Sequence, residues 1–307
     1  MLRLTTRTLT LRPSPRRSPQ LSRRTQHFSS SPSPGPPSPT FYDELSQYVK
    51  RVVDRKDQLT RYQEHSVFPP SNWTVLNYFL YAQLQLPSKT ELDAVEFLNG
   101  ARFACDRVVR AMHAQELLDF AAGNGPRPEI ADEVERMFDP MCFQRQFLPR
   151  ARRLAVGVTR LELKELDFSG VYLSGVACER TTRANLKTEE KLRAAVKQAI
   201  VKKRKTNERP IGMAVPDLSA IKETMASIQT EQGDDSEILE RLQLSALFRT
   251  TQTVEAVSAK TAERVAVKTD VKTTLRFESL VTEPDDVDWR IVSMNQFGRV
   301  VSRTKED

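Results

Sequence analysis

The sequence predicts an α+β fold in which helices come first and an antiparallel sheet of about four strands follows. Residues 265–281 alternate between apolar or small side chains at odd positions and largely charged ones at even positions, which is typical of a strand with one buried face. Residues 88–120 space their apolar side chains three or four apart, as an amphipathic helix does. Because one helix cannot bury its own apolar stripe, we expect the sheet to cover it.

The first forty residues predict a mitochondrial transit peptide that ends in a Pro/Ser-rich linker, with cleavage near Phe28. They contain seven arginines, many Ser, Thr and Pro residues, and no Asp, Glu or Lys. A basic tail that stays on the protein and binds an acidic surface is the alternative. Without these arginines the 47 Lys and Arg residues fall to 40, against 40 Asp and Glu. The rest of the chain is neutral, so its basic pI does not indicate nucleic-acid binding.

The cysteines predict neither a disulfide framework nor a zinc site. Cys105, Cys142 and Cys178 are scattered without a CxxC pair, which suits a reduced compartment such as the mitochondrial matrix. Cys105 lies on the apolar face of the central helix and is expected to be a small core residue. No stretch approaches the roughly 20 apolar residues that span a bilayer, so we expect a soluble or peripheral protein.

Residues 41–87 predict a helical extension ahead of the main domain. A polar helix covers 41–66, and a short apolar helix follows the prolines at 69 and 70. Two interpretations of the apolar helix stay open: it packs on the main domain, or it lies on the inner membrane. Its candidate contacts with a membrane or a client protein are Trp73, Phe79 and Leu80.

The central helix is predicted to run from Ser88 to roughly Phe120. Either Ser88 with Glu91 or Thr90 with Asp93 can cap its first turn, and Gly123 supplies the stop. A shorter helix is expected around residues 128–138, and the basic run at 140–153 is expected to be irregular.

The strands are predicted from changes in the hydrophobic period. Residues 156–173 indicate a long strand with bulges or a bend, for which Gly170 and Gly175 are the easy positions. A second strand is expected over 244–259, and a turn near Lys260 joins it to the alternating strand. A fourth begins near Trp289, after the acidic turn EPDDVD.

Residues 179–241 interrupt this sheet and predict a charged helical insert. One helix is expected from about Lys187 to Lys205, a second around 218–228, and a short extension at 237–242. Between Lys187 and Arg209 nine basic residues oppose three acidic ones, whereas residues 210–241 carry seven acidic and two basic ones. The insert therefore either neutralises itself or contacts anionic lipid or ribosomal RNA. The candidate contacts are Lys202, Lys203, Arg204 and Lys205.

The sequence offers few candidate catalytic residues, so we expect neither an enzyme nor a bound cofactor or metal ion. His113 near the end of the central helix is the one histidine that a pocket enzyme of this fold could use, but a capping or solvated role is favoured. The sequence contains no phosphate loop, no HExxH and no GxSxG motif.

Two stretches carry a family resemblance. EFLNGARFACDRVVRAM resembles the opening helix of domains similar to translocase of the inner membrane subunit 44, and LRFESLVTEPDDVDWRIVSMNQF resembles their last two strands. Within that family the likeness is greatest to members that interact with the matrix AAA protease. It covers about residues 90–178 and 242–298, while the insert departs from the family pattern.

The resemblance implies a nuclear transport factor 2-like cone without catalytic residues, on the matrix side of the inner membrane. It implies an adaptor for inner-membrane proteins that works with the matrix AAA protease. The alternatives are a structural protein of the mitochondrial large ribosomal subunit near the polypeptide exit, and a small pocket enzyme. The expected domains are a transit peptide and linker (1–40), a helical extension (41–87), the first part of the cone (88–178), the insert (179–241), the second part of the cone (242–298) and a polar tail (299–307).

Overall fold

The computed structural model describes residues 41–191, 238–281 and 287–306, and it confirms an α+β fold with a four-stranded antiparallel sheet. The elements named in this part of the chain are α1 Phe41–Asp54, α2 Lys56–Glu64, α3 Thr74–Leu84, α4 Ala94–Met112, α5 Gln115–Ala122, α6 Glu129–Met137, α7 Pro140–Cys142, a π-helix at Phe143–Phe147, α8 Leu148–Leu154, β1 Val158–Thr182, β2 Ile238–Ser258, β3 Arg264–Val281 and β4 Arg290–Glu306.

The sheet is an open meander in the order β1-β2-β3-β4, and every neighbouring pair is antiparallel. The predicted bulges of β1 are present, and two of its register shifts occur at Gly170 and Gly175. The alternation of β3 is confirmed as well. Val271, Leu275 and Phe277 are buried on one face, whereas Lys268 and Arg276 are exposed on the other.

The central helix α4 packs against this sheet, but it begins later than predicted, and the single predicted helix is divided into α4 and α5. It begins after Asp93, whose carboxylate accepts hydrogen bonds from the backbone N–H groups of Val95 and Glu96. It ends at Met112, and α5 then continues to the left-handed Gly123, which confirms the predicted stop. Ser88 caps no helix: its backbone N–H and hydroxyl donate to the Glu240 carboxylate on β2.

The core lies between α4 and the sheet. Cys105, Val108 and Met112 of α4 are buried in one cluster with Leu244 and Phe248 of β2. Smaller helices complete the cover, and Phe143 and Phe147 of the π-helix stack with ring centroids 5.3 Å apart. The run at 140–153, expected to be irregular, is therefore helical.

Four further expectations differ from the structure. β1 extends to Thr182, so the strand enters the range assigned to the insert. Residues 183–191 are helical, so a helix begins earlier than the predicted Lys187, whereas the rest of that expected helix and the second one at 218–228 lie outside the described residues. Residues 238–242 form the start of β2 instead of a helix. Residues 299–306 continue β4 instead of forming a polar tail.

Candidate functional site

Helix α3 exposes an apolar face that its own domain leaves uncovered. Its sequence TVLNYFLYAQL carries no charged residue, so no side of the helix has strong affinity for water. Leu80, Tyr81 and Leu84 are buried on the inner side. The outer side carries four exposed residues, Val75, Leu76, Tyr78 and Phe79, in which each of the first two lies three or four positions before Phe79. Trp73 adjoins them just before the helix. Large apolar side chains clustered in this way mark an interaction surface.

Specific hydrogen bonds fix the orientation of α3. The Tyr81 hydroxyl donates to the Val52 carbonyl of α1 at 2.9 Å, and the Tyr48 hydroxyl of α1 donates to the Ala82 carbonyl at 3.1 Å. The loop before α3 is tied to the sheet, because the Leu173 backbone N–H donates to the Val67 carbonyl at 2.7 Å. The outer face is thus presented from a fixed scaffold.

Helix α1 adds a second apolar stripe. Tyr48 and Val52 of α1 meet α3, whereas Leu45, Val49 and Val53 are exposed at helical spacing together with Tyr42. We call the exposed residues of the two helices, with Trp73, the N-terminal apolar face. Both helices use only part of their apolar surface inside the domain.

The predicted contact residues differ in their exposure to solvent. Trp73 is 81% exposed and Phe79 is 59% exposed, so both are available to a partner. Leu80 is only 4% exposed, because it points from α3 into the core, and its assignment as a contact was wrong. The basic cluster at 202–205 lies outside the described residues.

A separate pocket of about 430 Å³ lies between the start of α4 and the beginning of β4. Sequence reasoning did not find it, since its walls come from elements far apart in the chain. Its lining residues are Glu91, Leu92, Asp93, Glu96, Phe97, Gly100, Ala101, Ala104, Met137, Phe277, Val287, Trp289 and Ile291.

An aromatic trio forms one side of this pocket. The Phe97 ring of α4 meets the Phe277 ring edge to face, with centroids 5.4 Å apart, and meets the Trp289 ring at 5.1 Å. Phe277 is buried, while Phe97 and Trp289 are half-buried and line the pocket. Such edge-to-face pairs hold each ring in a defined orientation.

Three carboxylates line the same pocket, and two of them already have cationic partners. Glu91 lies 3.4 Å from the Arg55 guanidinium, and Asp93 lies 2.9 Å from that of Arg61. The Glu96 side chain is exposed, and its carboxylate has no partner within the described part of the chain. Its carboxylate is therefore the one in the lining whose charge a ligand could neutralise.

His113 and the three cysteines are not among the described residues that line this pocket. His113 caps α4, where its Nδ1 lies 2.8 Å from the Val109 carbonyl oxygen, and burial lowers the pKa of its imidazole. The imidazole is therefore neutral at pH 7 and belongs to the core. Burial raises the pKa of Cys142 to about 12 and that of Cys178 to about 11, and it raises the pKa of Cys105 as well. All three thiols stay protonated at neutral pH.

Across the described ranges, no three His, Cys, Asp or Glu side chains come together as ligands for a metal ion. The helices in these ranges likewise include none with the length and apolar character needed to cross a membrane.

Comparison of the chain with protein-family models, curated proteins and solved structures finds no match.

Proposed function

We propose that this chain is a non-catalytic adaptor at the matrix face of the mitochondrial inner membrane, with a nuclear transport factor 2-like cone as its main domain. It holds apolar segments of inner-membrane proteins during import, sorting or quality control and cooperates with the matrix AAA protease. The N-terminal apolar face carries this proposal, since it offers Trp73, Tyr78 and Phe79 to a partner on a fixed scaffold.

The size of this face suits reversible binding. Trp73, Tyr78 and Phe79 are each more than half exposed. With Val75 and Leu76, a partner would cover roughly 400–500 Å² of apolar surface, which contributes about 10–12 kcal/mol before costs. Association costs of roughly 4–15 kcal/mol are of the same order, so we expect the net affinity to be modest. That balance is expected of an adaptor that takes up and releases its clients.

The composition of α3 favours a polypeptide over a lipid surface. Helices that lie on membranes usually carry Lys and Arg beside the apolar face, where these residues meet anionic headgroups. Helix α3 has no charged residue, and in α1 the two basic residues, Lys50 and Arg51, are outnumbered by three acidic ones. An apolar segment of an unfolded or newly imported membrane protein is therefore the favoured occupant.

The compartment is supported by the first forty residues, whose seven arginines and lack of acidic residues resemble a mitochondrial presequence. The absence of catalysis is supported by the chemistry of the pocket. The lining residues within the described part of the chain include no Ser, Cys, His, Lys or Tyr, and Asp93 is already engaged at the helix start.

Fractionation of mitochondrial extracts tests the proposal. The chain is followed at low and high salt against markers for the matrix AAA protease and the large ribosomal subunit. The face variant carries Val75→Ser and Phe79→Ser, and the matched control carries Phe103→Ser and Phe297→Ser, two exposed aromatic positions elsewhere.

We expect the wild-type chain and the control to migrate with the protease and the inner membrane, and the face variant to run free in the matrix. Identical migration of the two variants would contradict the role of the face. Salt-stable migration with the large ribosomal subunit would replace the adaptor by a ribosomal protein.

A further inference from the structure

We infer that the pocket beside Trp289 receives a basic side chain, arginine or lysine, which a partner polypeptide presents between apolar residues. This binding site goes beyond the proposed function, because none of its lining residues belongs to the N-terminal apolar face.

The shape of the pocket suits a long side chain with a polar end. Its floor is formed by buried apolar residues, among them Leu92, Ala101 and Ile291. Its rim carries the exposed Glu96 and Gly100, and a Cβ atom added at Gly100 would meet nothing within 4 Å. The methylene stem of Arg or Lys can lie along the floor while its charged group stays near the rim.

The charge of the lining selects a cation. Among the lining residues that the structure describes, none is basic, and Arg55 and Arg61 compensate two of the three carboxylates from outside the lining. Within this described lining one negative charge, that of Glu96, remains. An anionic ligand would be repelled here, and a metal ion would find one free carboxylate where it needs several ligands.

The aromatic wall favours an organic cation in particular. Trp289 and Phe97 line the pocket, and an indole face attracts an ammonium or guanidinium group within about 6 Å of its centroid. Glu96 lines the same pocket as Phe97 and Trp289, so the carboxylate and the rings border one space. Together they can pair with one cationic head and one apolar stem.

Tryptophan fluorescence tests this inference directly. The full chain has two tryptophans, so Trp73→Phe leaves Trp289 as the only indole reporter. The probe is a short capped peptide with arginine between two leucines. Its matched partner contains citrulline, which keeps the shape of arginine but has no charge. Both peptides are titrated into the Trp73→Phe chain. They are also titrated into two variants of that chain, one with Glu96→Gln and one with Glu116→Gln.

Glu116 is the matched control, since it is an exposed carboxylate in the first turn of α5, as Glu96 is in α4. We expect saturable binding of the arginine peptide, about fivefold or more tighter than that of the citrulline peptide. Glu96→Gln should weaken arginine binding about two- to fivefold and reduce the difference between the peptides, whereas Glu116→Gln should change neither.

Equal affinity for both peptides would overturn the inference and leave a neutral apolar site. So would equal behaviour of the two glutamine variants, or the lack of a saturable signal at millimolar peptide. None of these results depends on α3, and loss of client binding in the face variant would leave the peptide titration unchanged. Failure of either proposal is therefore visible by itself.

Discussion

Glu240 is the residue whose removal should test the packing of this fold most sharply. Although charged, it is only 1% exposed on β2. Its carboxylate accepts hydrogen bonds from the Ser88 hydroxyl at 2.6 Å, from the Ser88 backbone N–H at 2.9 Å and from the Lys89 backbone N–H at 3.1 Å. These bonds attach the segment before α4 to the second strand of the sheet.

Glu240→Gln keeps the shape of the side chain but turns an amide NH2 group toward at least one of these donors. Each hydrogen bond to a buried charged group contributes about 1.5–3 kcal/mol, so we expect a loss of about 3 kcal/mol in the free energy of unfolding. In urea the midpoint should fall by about 1–2 M, followed by far-ultraviolet circular dichroism. Glu179→Gln, at an exposed carboxylate 3.4 Å from Arg241, is the control and should cost less than about 1 kcal/mol.

The pH dependence has a defined sign. Burial raises the pKa of Glu240, but hydrogen bonds from Ser88 and Lys89 outweigh burial and hold the pKa below its usual range. Because the folded pKa lies below the unfolded one, this carboxylate stabilises the fold at neutral pH, and its contribution is lost as pH falls through the folded pKa. The difference between wild type and Glu240→Gln should therefore shrink between roughly pH 7 and pH 3. A midpoint shift no larger than that of Glu179→Gln would refute the argument.

Three further predictions concern local structure. Asp93→Ala should lower the free energy of unfolding by about 1 kcal/mol through loss of the α4 cap, whereas Thr90→Ala should change it little; thermal unfolding of both variants decides which residue is the cap. Gly100→Ala should stabilise the mid-helix position by up to about 1 kcal/mol, while Gly123→Ala, at φ +86°, should destabilise by a similar amount, as urea midpoints would show. Cys105 should react with a thiol reagent only after denaturant is added, because burial raises the pKa of its thiol; fast labelling of the native chain would show that it is accessible.

The sequence predicted those elements in which the surroundings of the side chains change regularly along the whole element. The odd positions of β3 meet the core and the even ones meet water, so their chemistry alternates in the sequence. The bulges of β1 were predictable because Gly170 and Gly175 are the only residues of the strand without a side chain.

Elements that depend on distant contacts were missed. The run at 140–153 was expected to be irregular, yet it contains a π-helix, in whose wide turn the Leu148 backbone N–H donates to the Phe143 carbonyl. The end of α4 at Met112 has no Gly or Pro to signal it. There the capping contact of His113 and the burial of Leu117 define the break.

For the candidate surfaces as well, local patterns were predictable from the sequence and features that depend on distant contacts were not. The apolar character of α3 was evident, but which side faces water was not, and Leu80 proved to lie on the inner side. The pocket depends on Phe97 and Trp289 meeting at 5.1 Å across almost two hundred positions, which no local pattern encodes.

Photo-crosslinking at position 79 would test the central claim most directly. A benzoylphenylalanine replaces Phe79 in one chain and Phe103 in another, so that each probe sits on an exposed aromatic position. Both chains are irradiated in intact mitochondria during protein import. We predict adducts with newly imported inner-membrane proteins from position 79 and none from position 103. Equal yields from both positions, or adducts from position 79 with ribosomal components alone, would contradict the assignment of the N-terminal apolar face as the client-binding surface.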